Sequence, residues 1–304
     1  MNDGKVNWEG SMVAVVTPFT ADGTIDEKAF RENLALLISE GAHGLVVSGC
    51  TGESWAMTPQ ERARLFHLAV DVAAGKVPVI AGTGTISTDA VIELSLEAKA
   101  RGADGIMVLP PYYCMAGRRE IVEHYRAISA AVETPILLYN VPRRTGFNLT
   151  PDVIEELAQL DWVVAVKESS NDFVQTETTI RRVGERILVF TGHAAERGVP
   201  CVLMGAHGYV SSTESQIMGR DALAMYDLAK SGDLARARDI QMRALALEEL
   251  LKPIGTFPCN LKAAMNLLGR PGGYPRRPLL PLTRAEIDQV QVVLQQLNLA
   301  VAPA

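Results

Sequence analysis

Eight short runs of consecutive apolar residues punctuate the first two thirds of the chain, and stretches with helical periodicity separate them. The runs are MVAVVTPF (12–19), GLVVSG (44–49), PVIAGTG (78–84), GIMVLPP (105–111), PILLYNVP (135–142), VVAVKESS (163–170), ILVFTG (187–192) and GYVSST (208–213). They begin roughly 20–35 residues apart, the spacing of β-α units. Most are apolar at every position, as expected of parallel strands covered on both faces.

Helix signals fill the gaps. Thr58-Pro59-Gln60-Glu61 is a capping box with proline at the first helical position. Ser87-Thr88-Asp89 precedes the periodic stretch AVIELSLEAKA. GAHG (41–44), GADG (102–105) and GAHG (205–208) each offer a glycine for a left-handed helix cap just before a strand. Beyond residue 214 the strand signal stops. Helical stretches are expected at roughly 215–230, 233–250 and 256–268, then a proline-rich connection at 271–283 and a last helix capped by Thr283-Arg284-Ala285-Glu286. The pattern predicts a (β/α)8 TIM barrel over residues 1–230 and a C-terminal helical appendage over 231–304. A doubly wound open sheet is the competitor. The glycines favour the barrel: AGTGTIST (81–88) lacks the third glycine of a dinucleotide loop, and no phosphate-binding G-x-x-x-x-G-K-[ST] is present.

Composition narrows the partners. The chain of 304 residues is 48% apolar and 21% charged, enough to bury a large core. Its net charge of −6 is spread along the sequence, which argues against nucleic acid or an anionic membrane as partner. No uncharged apolar run is long enough to span a bilayer, and the start MNDGKVNWEG has no apolar core of a secretory signal. Four scattered cysteines (Cys50, Cys114, Cys201, Cys259) fit free thiols in a reducing cytoplasm. Five histidines form no short ligand pair, so no metal is implied.

In a barrel of this kind the chemistry sits at the carboxyl ends of the strands. Those ends carry hydroxyls, tyrosines, glycines and one lysine, Lys167, at the close of the run VVAVKE. Neither a carboxylate pair for glycoside work nor a Ser-His-Asp set is apparent. An ammonium is costly to bury unless it is paired or loses its proton. A desolvated amine has a lowered pKa and can attack a carbonyl to form a Schiff base. Pairing with Glu168, or escape to the rim, is the structural alternative. The loop SGCTGES (48–54) could bring backbone amides and Thr51 to a small carboxylate, or could simply be a tight turn with Glu53 as a near-cap charge. Tyr113 and Tyr139 sit beside prolines at strand ends and could move protons or merely pack. Arg144, next to Arg143, could take a second carboxylate. His193 reads as a rim histidine without a catalytic task.

Several motifs in order, each at a strand end, resemble the dihydrodipicolinate synthase / N-acetylneuraminate lyase family of class I aldolases: V-T-P-F at 16–19, G-C-T-G-E at 49–53, P-P-Y-Y at 110–113, Y-N-V-P-R-R-T-G at 139–146, V-K-E-S at 166–169 and P-L-L-P-L-T at 278–283. The resemblance implies a (β/α)8 barrel with C-terminal helices, a homotetramer, and no metal or organic cofactor. It implies that Lys167 forms a Schiff base with pyruvate or another 2-oxo acid. Tyr139 would be the proton donor and acceptor, and Thr51 with the Gly49–Thr51 loop amides would hold the carboxylate. Tyr113 would be a relay tyrosine reaching a neighbouring subunit's site, Val210 a backbone contact to pyruvate, and Arg144 the receiver of the aldehyde's carboxylate. Y-N-V-P-x-R-T-G tilts the choice toward the synthases, hence toward L-aspartate 4-semialdehyde as the aldehyde and 4-hydroxy-tetrahydrodipicolinate as product. Cys50 departs from the pattern: the synthases usually have threonine there, and a thiol is a poor relay between Tyr139 and Tyr113. The loop after PPYY and the segment KPIGTFPCNLKAAM also differ. A sibling aldolase or dehydratase for a sugar-derived 2-keto-3-deoxy acid, and a 2-oxo acid-binding relative without turnover, therefore stay open.

Overall fold

A computed structural model describes residues 6–300. The first five residues, part of the stretch from which the lack of a leader was read, lie outside the described residues, as do 301–304. All eight expected strands form: β1 (Gly10–Ala14), β2 (Gly44–Val47), β3 (Val79–Gly82), β4 (Gly105–Val108), β5 (Ile136–Asn140), β6 (Val163–Glu168), β7 (Leu188–Thr191) and β8 (Gly208–Ser211). They pair in parallel in sequence order, and β8 returns to β1, closing the barrel. The strands stop short of the ends of the apolar runs because the last residues of each run turn outward into loops. After β1, for example, the Val16 amide leaves the ladder and donates to Gln216.

The intervening helices are α1 (Glu27–Glu40), α2 (Pro59–Ala73), α3 (Thr88–Ala100), α4 (Arg118–Val132), α5 (Pro142–Thr145), α6 (Pro151–Leu157), α7 (Phe173–Val183) and α8 (Ala194–Leu203). After β8 come α9 (Thr213–Met218), α10 (Arg220–Ser231), α11 (Leu234–Leu251), α12 (Cys259–Leu267) and α13 (Arg284–Gln296). Both capping boxes close as expected, at Thr58–Glu61 and Thr283–Glu286. Gly41, Gly102 and Gly205 all take positive φ at the turns before their strands. The helix expected over 215–230 is broken in two at Gly219, whose φ of 55° and ψ of −127° fit no helix. The helix expected from 256 begins only after Pro258.

Although the runs are apolar throughout, their residues alternate between two cores. Met12, Val46, Ile80, Met107, Leu137 and Phe190 fill the barrel interior. Val13, Leu45, Ile106, Leu138, Val166 and Val189 face the helices. One irregularity decides the chemistry. Ile136 pairs with Val163, but Leu137 pairs with Ala165, so Val164 is an extra residue, a β-bulge. Unbulged pairing would set Lys167 opposite Asn140, an outward position. With the bulge Lys167 pairs with Tyr139 and turns inward.

The C-terminal helices pack on one side of the barrel mouth through a separate apolar cluster that includes Val16, Ile217, Leu247, Leu261 and Val290. A buried ion pair joins them to the barrel. Lys262 of α12 contacts Glu53 in the loop after β2, and also donates to the carbonyls of Thr17 (2.7 Å) and Tyr274 (2.8 Å).

Candidate active site

Where the strands end, the barrel opens into a cavity of about 190 Å3. Lys167 lies in it, 7% exposed, with Nζ 4.4 Å from the centre of the Tyr139 ring. It does not pair with Glu168. That carboxylate points the opposite way and accepts from Asn140 Nδ2 (2.8 Å), Gln175 Nε2 (3.0 Å) and the Ser170 amide (2.6 Å). Among the described lysines only Lys28 and Lys262 close ion pairs. Burial therefore governs Lys167 and pulls its pKa down to about 8; negative charge at Cys50 or Glu214 acts against the fall, and Arg144 adds to it. At neutral pH an appreciable share of the amine is free to attack a carbonyl.

Tyr139, on the neighbouring strand, is also buried, and burial pushes its phenol well above the usual 10. Cys50 adds to the rise, and Arg144 and Arg143 act against it. Cys50 and Thr51 both line the cavity. Their loop is held by Thr17 Oγ1, which donates to the Gly52 carbonyl at 2.8 Å, and by Glu53, which accepts from the Arg276 amide at 3.0 Å as well as from Lys262. Glu53 is thus a buried anchor rather than a near-cap charge. Gly49 does not line the cavity; a side chain there would press on Met107 Cε, 3.1 Å from its Cβ.

Val210, on β8, lines the floor. Arg144 and Arg143, both on α5, reach the mouth, with the Arg144 guanidinium 5.7 Å from the centre of the Trp55 ring. Tyr113 stands outside the cavity, 89% exposed and at a φ of 74°. His193 also lines the site; its Nδ1 is 3.1 Å from Glu196, and its buried Nε2 has no partner.

Lining groups that escaped the sequence reading include Glu214 and, farther along the chain, Glu248, Lys252 and Asn260. Glu214 follows β8 by three residues, one position past the hydroxyl run at the strand end, and nothing in its local pattern separates it from an ordinary charge in a first helical turn. The other three come from the C-terminal helical region, whose approach to the mouth depends on tertiary packing. Glu214 is 4% exposed, and burial, reinforced by Glu248, lifts its pKa to about 7.

Fold and site together define a (β/α)8 barrel with a desolvated amine and a phenol at its catalytic end. Comparison with known proteins sharpens this. The profile of the dihydrodipicolinate synthetase family matches residues 7–297, and the chain belongs to that family. It is 39% identical to an uncharacterized DapA-like lyase of Rhizobium meliloti, over 97% of this chain and 98% of that one. It is 37% identical to the 4-hydroxy-tetrahydrodipicolinate synthase of Moorella thermoacetica, over 97% of this chain and all of the relative. Among solved structures, the chloride-inhibited dihydrodipicolinate synthase of Acinetobacter baumannii complexed with pyruvate superposes with a TM-score of 0.91 at 30% identity, covering 97% of this chain and 100% of that one.

Proposed function

We propose that the protein is a lyase that captures pyruvate on Lys167 and condenses it with an aldehyde, L-aspartate 4-semialdehyde being the first choice, to give 4-hydroxy-tetrahydrodipicolinate. The observation that carries this reading is a buried amine without a carboxylate partner in a small cavity beside Tyr139 and Thr51. The amine adds to the C2 carbonyl, water leaves, and loss of a C3 proton gives an enamine that attacks the aldehyde carbon. Thr51 would hold the carboxylate of the bound oxo acid, with Val210 beneath it, and Tyr139 would donate to oxygen as water leaves. Arg144 at the mouth is suited to the carboxylate of the incoming aldehyde.

The relatives with this name support the choice of aldehyde. A homotetramer in the cytoplasm is part of the proposal: Tyr113 and Met115 expose apolar surface near the mouth, where a neighbouring subunit would cover them. No helix among the described residues is long and apolar enough to cross a membrane.

A second reading, an aldolase or dehydratase for a sugar-derived 2-keto-3-deoxy acid, is favoured by one observation: the position that would relay protons from Tyr139 is the thiol of Cys50. Incubation with pyruvate and borohydride, followed by mass spectrometry, should add one reduced pyruvate at Lys167. Semialdehyde consumption then separates the two readings. An adduct without consumption of the semialdehyde rejects the synthase and leaves the sibling. A folded protein that forms no adduct rejects both.

A further inference from the structure

The loop that carries Cys50 and Thr51 begins and ends on residues in a conformation that side chains disfavour. Ser48 and Glu53 both stand at positive φ, 57° and 54°, although neither is glycine. Such a backbone persists only where its surroundings hold it. Here each end is held by a buried cation from a helix. At the far end Lys262 of α12 meets the Glu53 carboxylate. At the near end the cation is Arg62 of α2. Its Nε donates to Ser48 Oγ at 3.0 Å, and its Nη2 donates to the carbonyls of Gly82 (2.5 Å) and Gly84 (3.3 Å) where β3 ends. Arg62 is 7% exposed and lies behind the loop, outside the cavity lining.

The two cations differ in the charge they leave over. Glu53 neutralises Lys262. The hydrogen bonds of Arg62 go to neutral oxygens. Burial pulls its pKa down to about 10, and only negative charge at Tyr112 is set against the fall, so it stays charged at neutral pH. A buried cation without a carboxylate partner is costly. It is retained where its charge, or its rigid fork of donors, is needed. The fork is used here: one planar group ties the first residue of the β2 loop to two carbonyls of the β3 loop. Gly82 permits that approach, since any side chain there would press on the Ser48 carbonyl. Ser48 in turn sets the direction of the amides that follow it, because a single left-handed residue turns successive N–H groups to one side.

We propose that Arg62 is a positioning residue for the carboxylate of the bound oxo acid: it locks the left-handed turn at Ser48, so that the loop presents its amides and the Thr51 hydroxyl to that carboxylate, and its unneutralised charge favours an anion there. The inference rests on the Schiff-base reading and leaves the proton transfers with Tyr139. Arg62 touches neither the oxo acid nor the reacting atoms. Its effect therefore falls on how tightly the oxo acid is held before Lys167 attacks. Once the site is full, the amine, the phenol and the cavity that surrounds them are the same with or without the guanidinium. A ketone that lacks the carboxylate has nothing for the loop to hold and is indifferent to Arg62.

The test measures the pyruvate concentration that gives half-maximal borohydride adduct on Lys167 and half-maximal exchange of the methyl protons in D2O. The same quantities are measured for pyruvamide, which carries an amide in place of the carboxylate. Arg62→Met should raise the half-maximal pyruvate concentration at least about 10-fold. It should leave the exchange rate at saturation, and the pyruvamide concentration, within about 3-fold of the parent. Arg62→Lys keeps the charge and loses the fork, so it should fall between the two. Ser48→Gly keeps the turn accessible but removes its anchor, and should raise the pyruvate concentration in the same direction. These two variants carry the test if Arg62→Met does not fold. Pyruvate binding within about 3-fold of the parent in the folded Arg62 variants, an unchanged value in Ser48→Gly, or an equal loss for pyruvate and pyruvamide overturns the inference. An equal loss would mean that Arg62 supports the barrel without aiming the loop. A folded parent that forms no adduct overturns the Schiff-base reading and this inference with it. A parent that forms the adduct, with variants that bind pyruvate as it does, overturns the role of Arg62 alone.

Discussion

Two lysines lie buried among the described residues, and their surroundings differ in a way that separates structural from chemical use. Lys262, 1% exposed, meets the Glu53 carboxylate and the carbonyls of Thr17 and Tyr274. Each acceptor stabilises the charged ammonium, so burial, which pulls its pKa down, is opposed by Glu53. Lys167, 7% exposed, has an aromatic face at 4.4 Å and no ion pair. Both lysines are buried; the number of oxygens around each nitrogen decides whether it remains an ammonium. A lysine that ties two parts of a fold together needs its charge. A lysine that must attack a carbonyl needs to be able to lose it.

The largest expected effect comes from removing the amine that stands alone. Lys167→Met should abolish adduct formation and turnover, yet the variant should unfold at a higher temperature than the parent. The sign follows from the lowered pKa. Between its folded value of about 8 and the unfolded value near 10.5, the unfolded chain binds the extra proton. Burial of Lys167 therefore costs stability in full below about pH 8, and the cost fades as pH rises toward 10.5. The shift corresponds to about 3 kcal/mol. Denaturation of both proteins at pH 7 and again near pH 10 should show the gap narrowing. A Met variant less stable than the parent at pH 7 would mean that Lys167 is held by partners, like Lys262.

The converse substitution should cost stability. Lys262→Met leaves Glu53 buried without its cation, at roughly 3–5 kcal/mol. Because Glu53 also accepts from the Arg276 amide and follows Cys50 and Thr51 by two or three residues, the loss should loosen the cavity loop and raise the KM for pyruvate. Chemical denaturation and steady-state kinetics measure the two parts. A variant of unchanged stability would show that the pair is dispensable to the fold and dissolve the contrast between the lysines.

The barrel was legible from the eight apolar runs because parallel strands covered on both faces carry no polar residues to obscure them. The same uniformity hid the most consequential detail. VVAVKE contains no alternation, so nothing in it says that Val164 is a bulge and that Lys167 consequently faces inward. The lysine could be picked out by type and position, but not its direction. Glu53 and Lys262 lie more than two hundred residues apart and each resembles a surface charge locally; only the packing of α12 on the mouth brings them together. Glu214, Glu248, Lys252 and Asn260 escaped notice for the same reason. Arg143 reaches the mouth beside Arg144 because both stand on the single turn of α5, which its sequence did not announce.

The smallest expected effect probes the one place where Lys167 still feels a potential anion on the Tyr139 wall. Negative charge at Cys50 supports the ammonium. Cys50→Thr removes an ionisable group while keeping a small polar side chain, so the Lys167 pKa should fall below about 8 and the pH midpoint of adduct formation should move down with it. The new hydroxyl can both accept from the Tyr139 phenol and donate onward, which a thiol does weakly. Both changes act in the same direction on semialdehyde turnover. The gain should nevertheless be modest, about 2- to 5-fold in kcat, far below the 100-fold or more of a newly created general acid or base, because Tyr139 itself is unchanged and only its neighbour is replaced. Rates of adduct formation across pH 6–10, with kcat measured beside them, separate the electrostatic part from the relay. A midpoint that stays in place while kcat rises assigns the whole gain to the hydroxyl. A midpoint that moves upward would mean that Cys50 acts on the amine chiefly by desolvating it, and that Lys167 is even more isolated than its neighbours suggest.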